Sequence, residues 1–266
     1  MDIRLIAMDL DGTLLTTNRE LHPNHVSALR RASEASITLC LASGRNVLGI
    51  RPYFEAANLT GPIVSSNGAY ALSANGETLE DRVLDPGVAR SILNFCRSQG
   101  IQVNAYAQDR VLMASVSEWS ELYTRRVVHF EPILTDWDTL VGTAANKLLL
   151  IDHPAKIAEY QVALASIIPS SSANPVVSEP EYLEFLAPGV NKLTGVQAVA
   201  RKMGLNRGQV AAIGDYENDL ELVQWASYSG AVANAVPSVL EHATQVFASN
   251  DEGGVAEFID SIVYNS

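Results

Sequence analysis

Four short apolar runs, at residues 3–8, 37–42, 62–64 and 210–213, each give way to polar or glycine-rich sequence, with helix-like stretches between them. Runs of this length suit strands buried on both faces, and strands that alternate with helices pair in parallel. The pattern predicts an α/β fold built on a parallel sheet with helices over both faces. Residues 22–36 read as a helix, with Pro23 in its first turn and Val26, Leu29 and Ala32 on one face. Residues 46–57 read as a short helix interrupted by Pro52. Residues 193–203 read as a helix closed by Gly204, and a further helix starts at Asn218.

The texture changes near Val83. Asp85-Pro86-Gly87 is a turn signal, followed by a helix at 88–99 and strands at 101–106, 110–114, 147–151, 175–178 and 182–186. Another helix is expected at 155–167, and Ala187-Pro188-Gly189 closes the segment. An inserted α+β domain at 84–187 follows, with residues 1–83 and 188–266 forming the core around it.

The chain is long enough at 266 residues, and apolar enough at 47%, to bury two such cores. Its formal net charge of -12 argues against a nucleic-acid surface, which needs clustered Lys and Arg. It also means that an anionic substrate would need local positive charge from a metal, a lysine or backbone N–H groups. No apolar stretch approaches the roughly 20 residues that cross a bilayer. The first residues lack the features of a signal peptide, and two cysteines, Cys40 and Cys96, are too few for a disulfide scaffold. Cys40 reads as a core residue, and a reducing cytoplasm is the expected setting.

The polar residues collect where the apolar runs stop. Asp9 and Asp11 follow the first run, Ser43-Gly44-Arg45 the second and Ser66-Asn67-Gly68 the third. Asp215, Asn218 and Asp219 follow the run at 210–213. The carboxyl ends of parallel strands share one edge, and ligands bind there. Taken singly, Asp-Gly-Thr is a common turn, Ser-Gly is loop chemistry, Asp and Asn cap helices, and a lysine such as Lys192 is a solvated side chain. Four clusters at four strand ends are another matter. Carboxylates crowded at one edge repel each other unless a cation is bound. Hard carboxylate oxygens suit Mg²⁺ with a substrate phosphate. One Asp can attack phosphorus while a second handles the proton. A hydroxyl, backbone N–H groups and a Lys can hold the phosphoryl oxygens.

In order and spacing, Asp9-Leu10-Asp11-Gly12-Thr13-Leu14, Ala42-Ser43-Gly44-Arg45, Asn191-Lys192 and the stretch from Gly214 to Val223 resemble the four motifs of the haloacid dehalogenase superfamily of phosphatases. The large insertion, Ser65-Ser66-Asn67-Gly68-Ala69 and the segment 248–259 resemble its Cof-type branch, and within it the YidA-like sugar phosphatases. The resemblance implies a Rossmann-like doubly wound core with a C2B-type cap at 84–187 that closes over the site and chooses the leaving group. It implies Asp9 as nucleophile, Asp11 as general acid/base, and Lys192 as the group that neutralises Asp9 and the phosphate. It implies that Ser43, the backbone of Gly44 and of Leu10, and Asn218 bind the phosphoryl group. Mg²⁺ would be held by Asp9, the Asp11 carbonyl and Asp215, with Asp219 as a supporting carboxylate. The branch commonly has Thr where Ser43 stands, Gly where Leu193 stands, and a glycine-containing Val-Ala-Met-Gly-Asn-Ala segment where this chain has Val232-Ala233-Asn234-Ala235. None of these departures removes a catalytic group.

The expected function is Mg²⁺-dependent hydrolysis of phosphate monoesters of small metabolites, sugar phosphates foremost, through an aspartyl-phosphate, by a monomer or homodimer without nucleic-acid or membrane partners. A phosphomutase of the same superfamily and a phosphometabolite-binding protein without turnover are the alternatives. The first lacks an evident second phosphate clamp, and the intact Asp9, Asp11, Lys192 and Asp215 argue against the second. There is no P-loop, no nucleophile elbow and no His-Glu-x-x-His motif. The five histidines, His22, His25, His129, His153 and His242, read as surface or structural residues. Arg125-Arg126, with Trp119 and Tyr123 nearby, reads as a solvated helix face beside core aromatics, with a cap surface that touches substrate as the alternative.

Overall fold

The computed structural model describes residues 2–127 and 132–264. The chain divides into two compact units. One comprises residues 1–44, 50–80 and 191–266, the other residues 45–49 and 81–190. His129 lies outside the described residues.

Among the described residues, the first unit is organised by an eight-stranded sheet in the order Gln245–Phe247, Tyr228–Val232, Val210–Gly214, Leu5–Met8, Thr38–Ala42, Ile63–Ser65, Tyr70–Leu72, Thr78–Asp81. The strands from Gln245–Phe247 to Ile63–Ser65 run parallel, and Tyr70–Leu72 turns back antiparallel. Met8 pairs with Ile213 on one side and with Leu41 on the other, so Asp9, Gly214 and Ala42 stand level at the carboxyl edge. Leu5, Ala7, Cys40, Ala42, Val64, Val210 and Ala212 pack with Val196, Val199 and Leu222 in one core cluster. Cys40 is fully buried in that cluster. Removing apolar area of this kind from water stabilises a fold by roughly 25 cal/mol per Å².

The first helix, Pro23–Glu34, has Pro23 in its first turn and is capped by His22, which accepts the Asn24 N–H at 3.2 Å. It buries His25, Ala28, Leu29 and Ala32, while Val26 lies half-buried at the margin of that face. The helix Val47–Ala56 runs through Pro52 without a break, contrary to the interruption expected from sequence. Proline removes one backbone donor, and here the remaining turns carry the helix past it. The helix Lys192–Lys202 begins on Lys192 itself, and Gly204 follows it at φ +70°. Leu193, where the resembling branch has Gly, packs half-buried against the core cluster.

In the second unit the described residues form a six-stranded sheet in the order Asn174–Glu179, Tyr182–Leu186, Lys147–Ile151, Gln102–Ala107, Arg110–Met113, Ile133–Leu134. Its strands pair antiparallel except the last two. One face, with Val103, Ala105, Leu148, Leu150, Leu183 and Phe185, forms the main core with Ile92, Leu93 and Cys96 of the helix Pro86–Gln99. Asp85-Pro86-Gly87 opens that helix instead of forming a free turn. The Asp85 carboxylate accepts the N–H groups of Gly87 and Val88 at 2.8 and 3.1 Å.

The opposite face buries polar side chains. Lys147 Nζ donates to Glu184 Oε1 at 2.9 Å and lies 4.3 Å from the Tyr106 ring centroid. Gln102, Asn104 and Tyr106 share that face, and the Tyr106 and Tyr123 hydroxyls are 2.8 Å apart. Asn104 Nδ2 is buried without a hydrogen-bond partner among the described residues. Arg126 departs from the solvated role expected of it. It is half-buried, pairs with Glu179 at 2.5 Å and packs over the Tyr182 ring, because a guanidinium stacks on an aromatic face while keeping its ion pair. Arg125 stays exposed, 3.8 Å from Glu121. His153 stacks edge-on against Trp119. Among the described residues, no helix is long and apolar enough to cross a membrane.

Candidate active site

Asp9 leaves the strand Leu5–Met8 with its N–H donated to Ile213 O at 3.1 Å. The chain then makes a wide turn over Leu10–Leu14, closed by Leu14 N–H to Asp9 O and Leu15 N–H to Leu10 O. Asp11 and Gly12 depart from helical geometry inside it. Gly12 sits at φ +77°, and a Cβ there would collide with Asp215 Oδ2. Only glycine satisfies both conditions. Leu10 is fully buried and Asp11 is half-buried in this turn.

Lys192 is 1% exposed and joins two segments. Its Nζ donates to Asp9 Oδ1 and to Asp219 Oδ1, each at 2.6 Å. The lysine reaches them because it opens a helix whose start lies against the turn Ser66–Gly68. A side chain at Gly68 would strike the Asn191 carbonyl, so glycine sets this close approach. Asn191 caps the helix by accepting the Thr194 N–H at 3.0 Å.

Asp219 is held through both of its oxygens. Beyond Lys192, its Oδ2 accepts the N–H groups of Asp215 and Tyr216 at 3.1 and 3.2 Å. That arrangement folds the loop after Val210–Gly214 and turns Asp215 toward the site. Asp215 Oδ1 accepts the Thr13 hydroxyl at 2.7 Å. Asp9, Asp215 and Asp219 each offer an oxygen, and these oxygens lie within 4.8 Å of one another. Burial pushes Asp9 well above the usual carboxylate range, and the Asp219 and Asp215 charges add to that while Lys192 opposes it. Burial and the Asp219 charge likewise raise Asp215 to about 6. Burial acts to lower the Lys192 ammonium, but the Asp219 and Asp9 carboxylates outweigh it and hold the group above its ordinary value. One ammonium facing three carboxylates leaves an excess of negative charge, which a divalent cation would balance. The donors are hard oxygens, the type a group-two cation takes, and the missing Cβ of Gly12 keeps Asp215 Oδ2 uncovered. The residues fit a metal.

A second group gathers around Asn67. Its N–H donates to Ser43 O at 3.1 Å, and its Oδ1 accepts Asn218 Nδ2 at 3.0 Å. A Cβ on Gly44 would press on the same side chain at 3.1 Å. Ser43 and Gly44 are thereby placed next to Asn218, although 174 positions separate Gly44 from it in the chain. Ser43 is buried, with its N–H on Val64 O. The structure brings Asp9, Lys192, Asp215 and Asp219 into direct contact or close range, and Ser43, Gly44 and Asn218 into a neighbouring set. The Asp11 carboxylate is not part of the three-carboxylate group.

Sequence reasoning gave no role to Thr13 or Asn67. Asn67 carried one signal. Ser66 and Asn67 both take left-handed backbone, at φ +51° and +52°, and a Ser-Asn-Gly at a strand end is the composition such a turn needs.

A model of the haloacid dehalogenase-like hydrolase family matches residues 6–259. The HMP-PP phosphatase of Cronobacter sakazakii is 29% identical, over 89% of this chain and 86% of that protein. A haloacid dehalogenase-like hydrolase structure from Bacteroides thetaiotaomicron superposes with a TM-score of 0.90 at 28% identity, covering 98% of this chain and 99% of that one. A HAD subclass IIB sugar phosphatase structure superposes at 0.85 with 18% identity, covering 97% and 98%, which speaks for the fold alone.

Proposed function

This chain belongs to the haloacid dehalogenase-like hydrolase family and is a phosphatase, and from that premise we propose that it hydrolyses phosphate monoesters of small metabolites through a phosphoryl group carried on Asp9. The observation that carries this reading is the Lys192 bridge from Asp9 to Asp219, with Asp215 within 4.8 Å.

In this reading an Asp9 oxygen attacks phosphorus and displaces the ester oxygen, which takes a proton from Asp11. Asp11 then removes a proton from the water that attacks the same phosphorus and frees Asp9 and inorganic phosphate. Lys192 holds Asp9 in line and offsets charge on the phosphoryl oxygens. The Ser43 hydroxyl, the N–H groups of Gly44 and Leu10, and Asn218 bind those oxygens. Asp9, Asp215 and the Asp11 carbonyl are the proposed Mg²⁺ ligands, and Asp219 supports them from its bonds to Lys192 and the Asp215 N–H. Bound Mg²⁺ supplies a positive charge that lets an anionic ester approach an anionic nucleophile.

We assign the choice of leaving group to a cap formed by residues 84–187. Sugar phosphates are the substrate class we propose, on the resemblance of the motifs.

The test is phosphate release from p-nitrophenyl phosphate with and without Mg²⁺, with Asp9→Asn beside the wild type. Release that needs Mg²⁺ and disappears in the variant supports the assignment. Equal release from Asp9→Asn would refute it.

A further inference from the structure

The short loop that follows Tyr228–Val232 grips both acidic segments of the site. Asn234 Nδ2 donates to Gly12 O at 2.8 Å. Two residues on, the Val236 N–H donates to Asp215 O at 2.8 Å. The loop is pinned in turn, since Asn234 Oδ1 accepts the Asn250 N–H at 2.9 Å and Asn250 Nδ2 donates to Leu15 O at 2.8 Å. Farther along the same stretch, Asp251 accepts the N–H and hydroxyl of Thr17 at 2.7 and 2.6 Å.

We infer that Asn234 is a positioning residue that presets Asp215 for the divalent cation, an inference that rests on the metal site proposed above. A peptide unit is planar, so fixing the direction of Gly12 C=O fixes the plane that leads into Thr13. Thr13 then delivers its hydroxyl to Asp215 Oδ1. The same loop holds the Asp215 backbone through Val236. The Asp215 carboxylate is therefore located from both ends by one four-residue loop, and Asn234 is the only side chain in that loop with a polar group. Thr13 is one hydrogen bond removed from Asp215, and Asn234 orients Thr13 from one step farther out; outer partners of a metal ligand tune affinity by orienting it. Asn234 is itself exposed, so water can take up the groups that its removal frees, and the fold has little to lose.

The experiment measures Mg²⁺ binding to the intact chain by titration calorimetry without substrate, and the Mg²⁺ dependence of turnover. Asn234→Ala should bind Mg²⁺ about tenfold more weakly. Its activation constant for Mg²⁺ should rise by the same factor, while kcat at saturating Mg²⁺ and the substrate KM stay near wild type. A merely structural defect would lower kcat at every Mg²⁺ concentration and leave the activation constant in place, which would overturn the inference. Asp251→Ala removes the bonds to Thr17 in the same stretch, away from Gly12 and Asp215, and should leave Mg²⁺ affinity unchanged. An equal weakening in both variants would show general loosening and also overturn it. Asp215→Asn separates the two levels. If wild type binds Mg²⁺, Asp215→Asn does not and Asn234→Ala binds as wild type, the metal site stands and the role of Asn234 falls. If wild type binds no Mg²⁺, both fall.

Discussion

Each unit buries one lysine to 1% exposure against a carboxylate, and the two sites differ in charge balance. Lys147 pairs with the Glu184 carboxylate and lies over the Tyr106 ring. Lys192 faces Asp9 and Asp219 directly, with Asp215 beside them. The first is a balanced pair, whose desolvation its own Coulomb attraction largely offsets. In the second, burial raises Asp9 and Asp215 and the neighbouring carboxylate charges add to it, so the group carries surplus negative charge that one ammonium does not balance. A balanced buried pair suits a structural role, and an unbalanced one suits chemistry on a charged ligand.

The largest effect expected from breaking this contrast is on turnover. Asp9→Asn should lower kcat by roughly a thousandfold or more while leaving the fold intact, as steady-state kinetics and circular dichroism would report. Lys192→Met removes the ammonium from the surplus of carboxylates and should cost roughly a hundredfold or more in kcat. The matching change in the other unit should act on stability. Lys147→Met alone strands a buried Glu184 and should cost about 3–5 kcal/mol in denaturant unfolding. Adding Glu184→Leu should recover most of that, since the pair is balanced. No second substitution should recover the activity lost at Lys192.

A subtler effect concerns pH. Asp215 lies above its ordinary 3.8, at about 6, so the metal-free fold favours its neutral form. That contribution is complete below the unfolded value and is lost as pH rises through about 6, worth about 2–3 kcal/mol at this shift. Mg²⁺ should therefore raise the melting temperature more at about pH 7.5 than at about pH 5, read by calorimetry. Equal stabilisation at both would contradict the charge surplus. The smallest expected effect is Asn104→Ala, which should cost about 1 kcal/mol in denaturant unfolding, because the hydrogen bond lost from the Gln102 amide is partly offset by removing an unpartnered buried N–H, while kcat for p-nitrophenyl phosphate holds.

The parallel sheet was legible because its strands are unbroken apolar runs, and their shared edge foretold that Asp9, Asp215 and Asp219 would meet. Lys192 was legible only through its motif, since a lysine at a helix start is ordinarily solvated. Three features were hidden for physical reasons. Asn67 acts through a left-handed turn that composition only hints at. Asp85-Pro86-Gly87 has the composition of both a turn and a helix cap, and only the bonds to Gly87 and Val88 decide between them. Lys147 opens an apolar run, and its burial follows from the period of two that puts it on the polar face with Leu149 and Ile151 between aromatics.

The central claim is that Asp9 carries the phosphoryl group, and trapping that group tests it most directly. In the proposed mechanism Asp11→Asn keeps the nucleophile but cannot activate the water of the second step, and p-nitrophenolate leaves without needing a proton. Mixed with p-nitrophenyl phosphate and Mg²⁺ and quenched in acid, this variant should gain the mass of one phosphoryl group on the peptide containing Asp9, and the double variant with Asp9→Asn should gain none. Sustained phosphate release with no adduct, or an adduct on any other peptide, would contradict the account.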